Sequence, residues 1–196
     1  MKKLFLTLAM LFASVGAFAQ YAHPIENYQK PAPRNDLGQV IFSGIVELNG
    51  VTKNAIESAV KQYAFEQNYK EEGNGLFVAP ESGMIIFKDK HFAYKDFANE
   101  GGYTKVNMLV RVTAKESKIK IEIYNLEFQE RTYSGAIDTI SSNIHCGTTA
   151  CVTPEGIMNN GFLPNYCRMF IDAALGKINI LKKIIPHYAN EITADW

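Results

Sequence analysis

Hydrophobic and polar residues alternate most strictly between Tyr103 and Phe128. Thr104, Val106, Met108, Val110, Val112 and Ala114 fall on one side of a period of two, and Lys105, Asn107, Arg111 and Thr113 fall on the other, with Leu109 the apolar exception. A second run follows, in which Ile119, Ile121 and Ile123 alternate with Lys118, Lys120 and Glu122 before the phase flips to Tyr124, Leu126 and Phe128. Alternation of this length predicts two long strands, and a flip inside one of them predicts a bulge or a sharp twist. Such a ribbon needs apolar cover on one face. Two segments of helical period can supply it, one upstream of the ribbon and one at the C-terminal end of the chain.

The upstream segment opens on a strand at Val40 to Leu48, with Val40, Phe42, Val46 and Leu48 on one face, Gly44 between them, and Ile41 and Ile45 on the other. Asn49-Gly50 signals a turn, and Thr52 offers a hydroxyl to cap a helix running from about Lys53 to Asn68. Ile56, Ala59, Val60, Tyr63 and Ala64 form its apolar stripe. Leu76 to Ala79 and Met84 to Phe87 read as a hairpin across Pro80 to Gly83, its second arm extended by Lys88 to Tyr94, with Gly101-Gly102 breaking the chain before the ribbon. The C-terminal helix is predicted over Tyr166 to Ile185. Its stripe is Met169, Phe170, Ala173, Ala174, Ile178, Leu181 and Ile185; Arg168, Asp172, Lys177 and Lys182-Lys183 are placed toward solvent. Gly176 weakens this helix, and Pro186 is expected to kink or end it. These elements predict a single α+β domain over 39–196, a curved antiparallel sheet of about five strands with two helices packed on one face.

The ends of the chain add an address. Lys2-Lys3, an apolar run from Leu4 to Ala13 and Ala17-Phe18-Ala19 have the layout of a Sec-type signal peptide over 1–19, cleaved to leave Gln20 first. The run is short of the ~20 residues of a membrane span, and no later stretch is apolar enough, so the mature chain is expected in the periplasm, at the cell surface or outside the cell. Residues 20–38, with Pro24, Pro31 and Pro33, read as a flexible linker; its Tyr21 and Tyr28 offer a docking motif. Basic and acidic residues number 20 each, and loss of Lys2 and Lys3 leaves a charge of about −2. That balance argues against nucleic acid as a partner, which requires a basic footprint.

The strand–helix–strands–helix order, with an N-terminal signal, the segment Leu48-Asn49-Gly50-Val51-Thr52-Lys53, the amphipathic helix, Gly83-Met84-Ile85-Ile86-Phe87-Lys88 and the long ribbon, resembles a family of exported bacterial domains of unknown function with a fold like the TATA-binding protein. The resemblance covers about Gln39 to Phe128 and the last helix, and implies a β-α-β4-α order. It brings no catalytic residues. Residues 129–164 depart from it as an insertion rich in Gly, Ser, Thr and Asn, with a short helix expected over Pro154 to Asn159.

Candidate chemistry is sparse. The chain has three cysteines, Cys146, Cys151 and Cys167, and export permits a disulfide. A local Cys146–Cys151 staple suits the short spacing, Cys167 pairing with either ties the insertion to the last helix, and His145, Cys146, Cys151 and Cys167 make a zinc-type ligand set; adjacent His and Cys side chains and an oxidising compartment disfavour the last. No metal or cofactor is expected, and no serine elbow, phosphate loop, calcium loop or paired-histidine motif is present. Glu71-Glu72-Gly73-Asn74-Gly75 lacks the third glycine of a dinucleotide fingerprint. The polar sheet face, Lys105, Asn107, Arg111, Lys120 and Glu122, is the candidate binding surface. The expected function is a non-enzymatic binding or interaction module for an envelope protein or small ligand. The alternative is a hydrolase or other thiol-dependent enzyme using Cys146 or Cys167 with a histidine such as His91 or His187, which would need a thiol of lowered pKa.

Overall fold

A computed structural model describes residues 23–68, 77–79, 82–97, 100–131, 135–146, 150–151 and 162–194. The elements are β1 (Ile41–Glu47), α1 (Lys53–Asn68), β2 (Phe77–Ala79), β3 (Met84–Phe97), β4 (Glu100–Lys115), β5 (Lys118–Arg131), β6 (Ile137–Ser141), α2 (Ser142–His145) and α3 (Phe162–Ala194). The sheet is antiparallel in the order β1-β5-β4-β3-β2, and β6 joins β5 beyond the end of β1. Helices α1 and α3 pack against each other and on one face of the sheet. This is the expected α+β architecture, with β6 added by the insertion.

Alternation builds the ribbon as expected. Val106, Met108, Val110, Val112 and Ala114 of β4 and Ile119, Ile121 and Ile123 of β5 are buried under the helices. The flip in β5 is a bulge: Leu109 pairs with Tyr124 but Asn107 pairs with Glu127, so β5 carries one residue more than β4 between these pairs. Asn125 takes up the excess with φ 53°, and Leu126 and Phe128 then return to the core. The bulge also divides the β5 edge, with β1 pairing before it and β6 after it. Asn143 of α2 ties the two together, its amide donating to Asn125 (3.3 Å) and its oxygen accepting from the Val40 N–H (2.9 Å).

Helix α1 has the expected limits, and the Thr52 hydroxyl accepts from the Ala55 N–H at 3.3 Å. Helix α3 departs from expectation at both ends. It continues through Pro186 to Ala194. The carbonyl that proline leaves without a donor belongs to Lys182, on the exposed side, while buried Ile185 and Ala189 hold the following turns to the core. Arg168, Asp172 and Lys177, expected toward solvent, are 4%, 9% and 4% exposed, because α3 lies between the sheet and further chain rather than on a free surface. Part of that chain is the segment read as a linker: over 23–38 it lies against the domain, with Tyr28 fully buried and its hydroxyl donating to Asp172. Gly101 and Gly102 do not interrupt the ribbon; they pair with Asp96 and Lys95 inside β4. The helix expected over 154–159, Tyr21, and residues 1–22 lie outside the described residues.

Candidate functional site on the open sheet face

The face away from the helices is set by strand register. At the β4–β5 turn, Glu47, Lys118 and Lys115 stand side by side across β1, β5 and β4. The next row is Ile45, Lys120, Thr113 and Met84, and behind it come Ser43, Glu122, Arg111 and Ile86. Tyr124 and Leu109 follow, next to the bulge. Two hollows indent this face. A concavity of about 520 Å³ is lined at the turn end by Ile45, Met84, Arg111, Lys115, Lys118 and Glu122, among others. A second, of about 330 Å³, lies beyond the Tyr124–Leu109 row and includes Lys88, Lys90, Lys105, Asn107 and Glu127. The five residues proposed from sequence all lie on this face but divide between two hollows: Arg111, Lys120 and Glu122 in the larger, Lys105 and Asn107 in the smaller.

Glu122 is the electrostatic centre of the larger hollow. Arg111 Nε donates to Oε2 and Lys120 Nζ to Oε1, each at 2.8 Å. Burial works to raise its pKa, but these two cations outweigh it and hold the carboxyl below its ordinary value. The Arg111 guanidinium also lies 5.6 Å from the centre of the Tyr124 ring. The phenol of Tyr124 is raised, by burial first, with Arg111 opposing and Glu122 adding to it.

Sequence reasoning missed a polar network under the sheet. Asp89 Oδ2 accepts from the Tyr63 hydroxyl at 3.0 Å and from Lys177 Nζ at 3.0 Å, and Lys177 donates to the Tyr63 oxygen at 3.1 Å. Burial and the Asp89 charge push the Tyr63 phenol far up. His91 packs beside this group, with its pKa lowered by burial and then by Lys177, against an opposing pull from Asp89. A Cβ on Gly176 would stand 2.5 Å from His91 Nε2, so the glycine that weakens α3 is also what admits the imidazole. The signal available in the sequence was Asp89 itself, a carboxylate in phase with Ile85 and Phe87 on the core side of β3.

The three cysteines do converge. All are thiols in this structure and all are buried. Cys167 is in hydrogen-bonding contact with both Cys146 and Cys151; its contact, then burial, push the Cys151 thiol up, and the Cys146 contact with burial pushes the Cys167 thiol up against an opposing pull from Cys151. A thiol buried in this way is a poor nucleophile. His145 Nδ1 lies 3.0 Å from the Ser141 carbonyl oxygen, with its ring edge-on to Tyr166, and His187 is paired with Glu191 on the surface of α3. Among the described residues no group of three or more His, Cys, Asp or Glu has the geometry to hold a metal ion.

A curved antiparallel sheet with a helix entering after its first strand and a long C-terminal helix crossing the same face defines a domain of the TBP-like class. Two solved structures share it. One is a TBP-like protein from Parabacteroides distasonis ATCC 8503, 19% identical over 81% of this chain and 97% of that one, with a TM-score of 0.56. The other is a DUF4468 family protein from Bacteroides ovatus ATCC 8483, 16% identical over 84% of this chain and 95% of that one, with a TM-score of 0.62. At these identities the likeness establishes the fold and leaves function to the site. No protein-family model and no curated protein matches the chain. No helix among the described residues is long and apolar enough to cross a membrane.

Proposed function

We propose that the protein is an exported, non-catalytic binding module that engages an envelope protein or a small ligand with the open face of its sheet. The observation that carries this reading is the contrast between the two faces. The side under the helices is filled, and Asp89, Tyr63 and Lys177 there pair with one another, whereas the opposite side leaves Ile45 62% exposed beside the 520 Å³ hollow centred on Glu122. Concave surfaces with a few convergent polar groups are the usual place for ligands. A photoreactive side chain at Thr113, on this face, is expected to give an adduct in envelope fractions that excess unlabelled protein competes away. The same side chain at Asn179, on the exposed side of α3, gives none. Adducts formed equally at both positions refute the reading, and adducts at neither remove the envelope-protein partner and leave the small ligand.

Export rests on residues 1–19, and a mature chain beginning at Gln20 in the envelope fraction is its test; an uncleaved N-terminus overturns it. In an oxidising compartment the cysteine cluster closes one disulfide through Cys167. Two thiols give up two protons and two electrons to an external disulfide, which departs as two thiols. Cys167 is the member in contact with both others, so peptide mapping is expected to find it in the bridge; a Cys146–Cys151 bridge refutes this.

A further inference from the structure

The turn end of the open face carries an uncancelled electrostatic conflict. Lys115 and Lys118 are direct cross-strand partners on the last paired row of the β4–β5 hairpin, with both side chains exposed. Like charges placed directly opposite on a sheet destabilise it. The acids nearby do not cancel this pair. Glu122 is engaged by Arg111 and Lys120, the Glu116 carboxylate accepts from the Lys53 N–H at 3.4 Å, and Glu47 stands beside Lys118 on β1 without approaching either lysine within ion-pair distance. Thus Arg111, Lys115, Lys118 and Lys120 face the hollow against Glu47 and Glu122, and neither Lys115 nor Lys118 has an ion-pair partner among the described residues. The floor next to them is apolar: Ile45 and Met84 sit one row in, and the Ile45 side chain is open to solvent.

Resting on the reading that the open face is the working surface, we infer that this end of the hollow binds a small organic anion, with its charged head between Lys115 and Lys118 and its apolar body along Ile45 and Met84. The shared chemistry is a carboxylate, sulfate or phosphate-ester head on an apolar body. The head relieves the lysine–lysine repulsion, and the body covers an exposed isoleucine. Arg111 and Lys120, held by Glu122, form the rear wall and set the depth to which the head can reach.

The probes are octanoate and octyl sulfate, with octanol and octyltrimethylammonium as neutral and cationic controls, titrated into the mature protein and followed by amide shifts in two-dimensional NMR. Both anions are expected to move the signals of Ile45, Met84 and residues 111–120, and to bind at least about tenfold more tightly than either control. Lys115→Gln is expected to lose about two- to fivefold of anion affinity while its Tm stays unchanged or rises, because the repulsion is removed and Lys118 keeps Glu47 as its neighbour. Phosphatidylglycerol vesicles separate the sources: co-sedimentation that Lys115→Gln abolishes assigns the head to a bilayer lipid, and anion binding without co-sedimentation assigns it to a free molecule. Anions that bind no better than octanol, or a Lys115→Gln/Lys118→Gln variant that binds them unchanged, overturn the inference. Competed adducts at Thr113 without anion binding would remove this inference and leave the broader reading standing. Anion binding without adducts would support a small-ligand protein and remove the macromolecular partner.

Discussion

Replacing Lys177 by methionine tests whether the network under the sheet holds the fold. The Lys177 and Asp89 side chains are 5% and 2% exposed and meet at 3.0 Å. At an effective dielectric of about 20 the attraction at that distance is about 5 kcal/mol, against a desolvation cost of several kcal/mol per ion. The intact pair therefore adds little net stability. Removing one partner is different, because Asp89 then keeps only the Tyr63 hydroxyl and the Lys90 N–H at 2.7 Å to support a buried charge. The expected loss is about 3–5 kcal/mol, a large part of the ~5–15 kcal/mol that holds a domain together, and a fall in Tm of about 10 °C. Lys177→Met/Asp89→Leu, which removes both charges, should return to within about 1 kcal/mol of the parent or exceed it. Urea unfolding followed by circular dichroism at pH 5 and pH 8 measures all three proteins. A single-variant loss below about 1 kcal/mol, or a double variant as damaged as the single one, refutes the reasoning.

Gly176→Ala sets about 1 kcal/mol of gained helix propensity against a Cβ at 2.5 Å from the His91 ring. Overpacking of this kind costs about 1–3 kcal/mol, so the variant should be less stable, and His91→Ala in the same chain should restore it; a Gly176→Ala protein more stable than the parent would show that the ring moves aside freely. His91 also predicts a pH dependence. Its folded pKa lies below the unfolded value of about 6.5, so its contribution is complete above about 6.5 and is lost as pH falls through the folded value. The parent's Tm should therefore decline on that side, and His91→Asn should flatten the decline; an unchanged profile counts against a half-buried neutral imidazole.

The ribbon and α1 were legible because each is settled by a short-range pattern. Alternation placed Val106 to Ala114 and Ile119 to Ile123 on one face, the phase flip at Tyr124 marked the bulge, and Thr52 marked the start of α1. What could not be read depends on contacts between distant parts of the chain. Arg168, Asp172 and Lys177 look like the solvent side of an amphipathic helix until their surroundings are known. Asp172 meets Tyr28 across 144 residues, and Lys177 meets Tyr63 across 114. A helix covered by a sheet, a second helix and an N-terminal strap has no wide polar face, so a charged residue in phase with solvent on a helical wheel is buried and needs a partner. The prolines of 24–33 suggested a free tether because they exclude regular structure, but excluding helix and strand does not exclude packing, and one buried tyrosine is enough to lay the segment down.

The same distinction separates structural charge from functional charge. The cysteines named from the sequence are buried together, and Asp89 is committed to Tyr63 and Lys177. Glu122 looks equally committed, yet its position differs: its two cations come from the same open face, Lys120 is half exposed at 52%, and no helix covers them. A ligand anion can therefore compete with Glu122 for Lys120, which Asp89 never faces for Lys177. In the proposed site the charges form a graded series, from Arg111, over the Tyr124 ring and fixed to Glu122, through Lys120, to Lys115 and Lys118 at the rim, which have no ion-pair partner among the described residues. Fixed charge at the rear gives orientation and unpaired charge at the mouth gives attraction. Moving these two lysines to the rear would bury their repulsion, and moving Arg111 to the rim would leave the hollow without a defined rear wall.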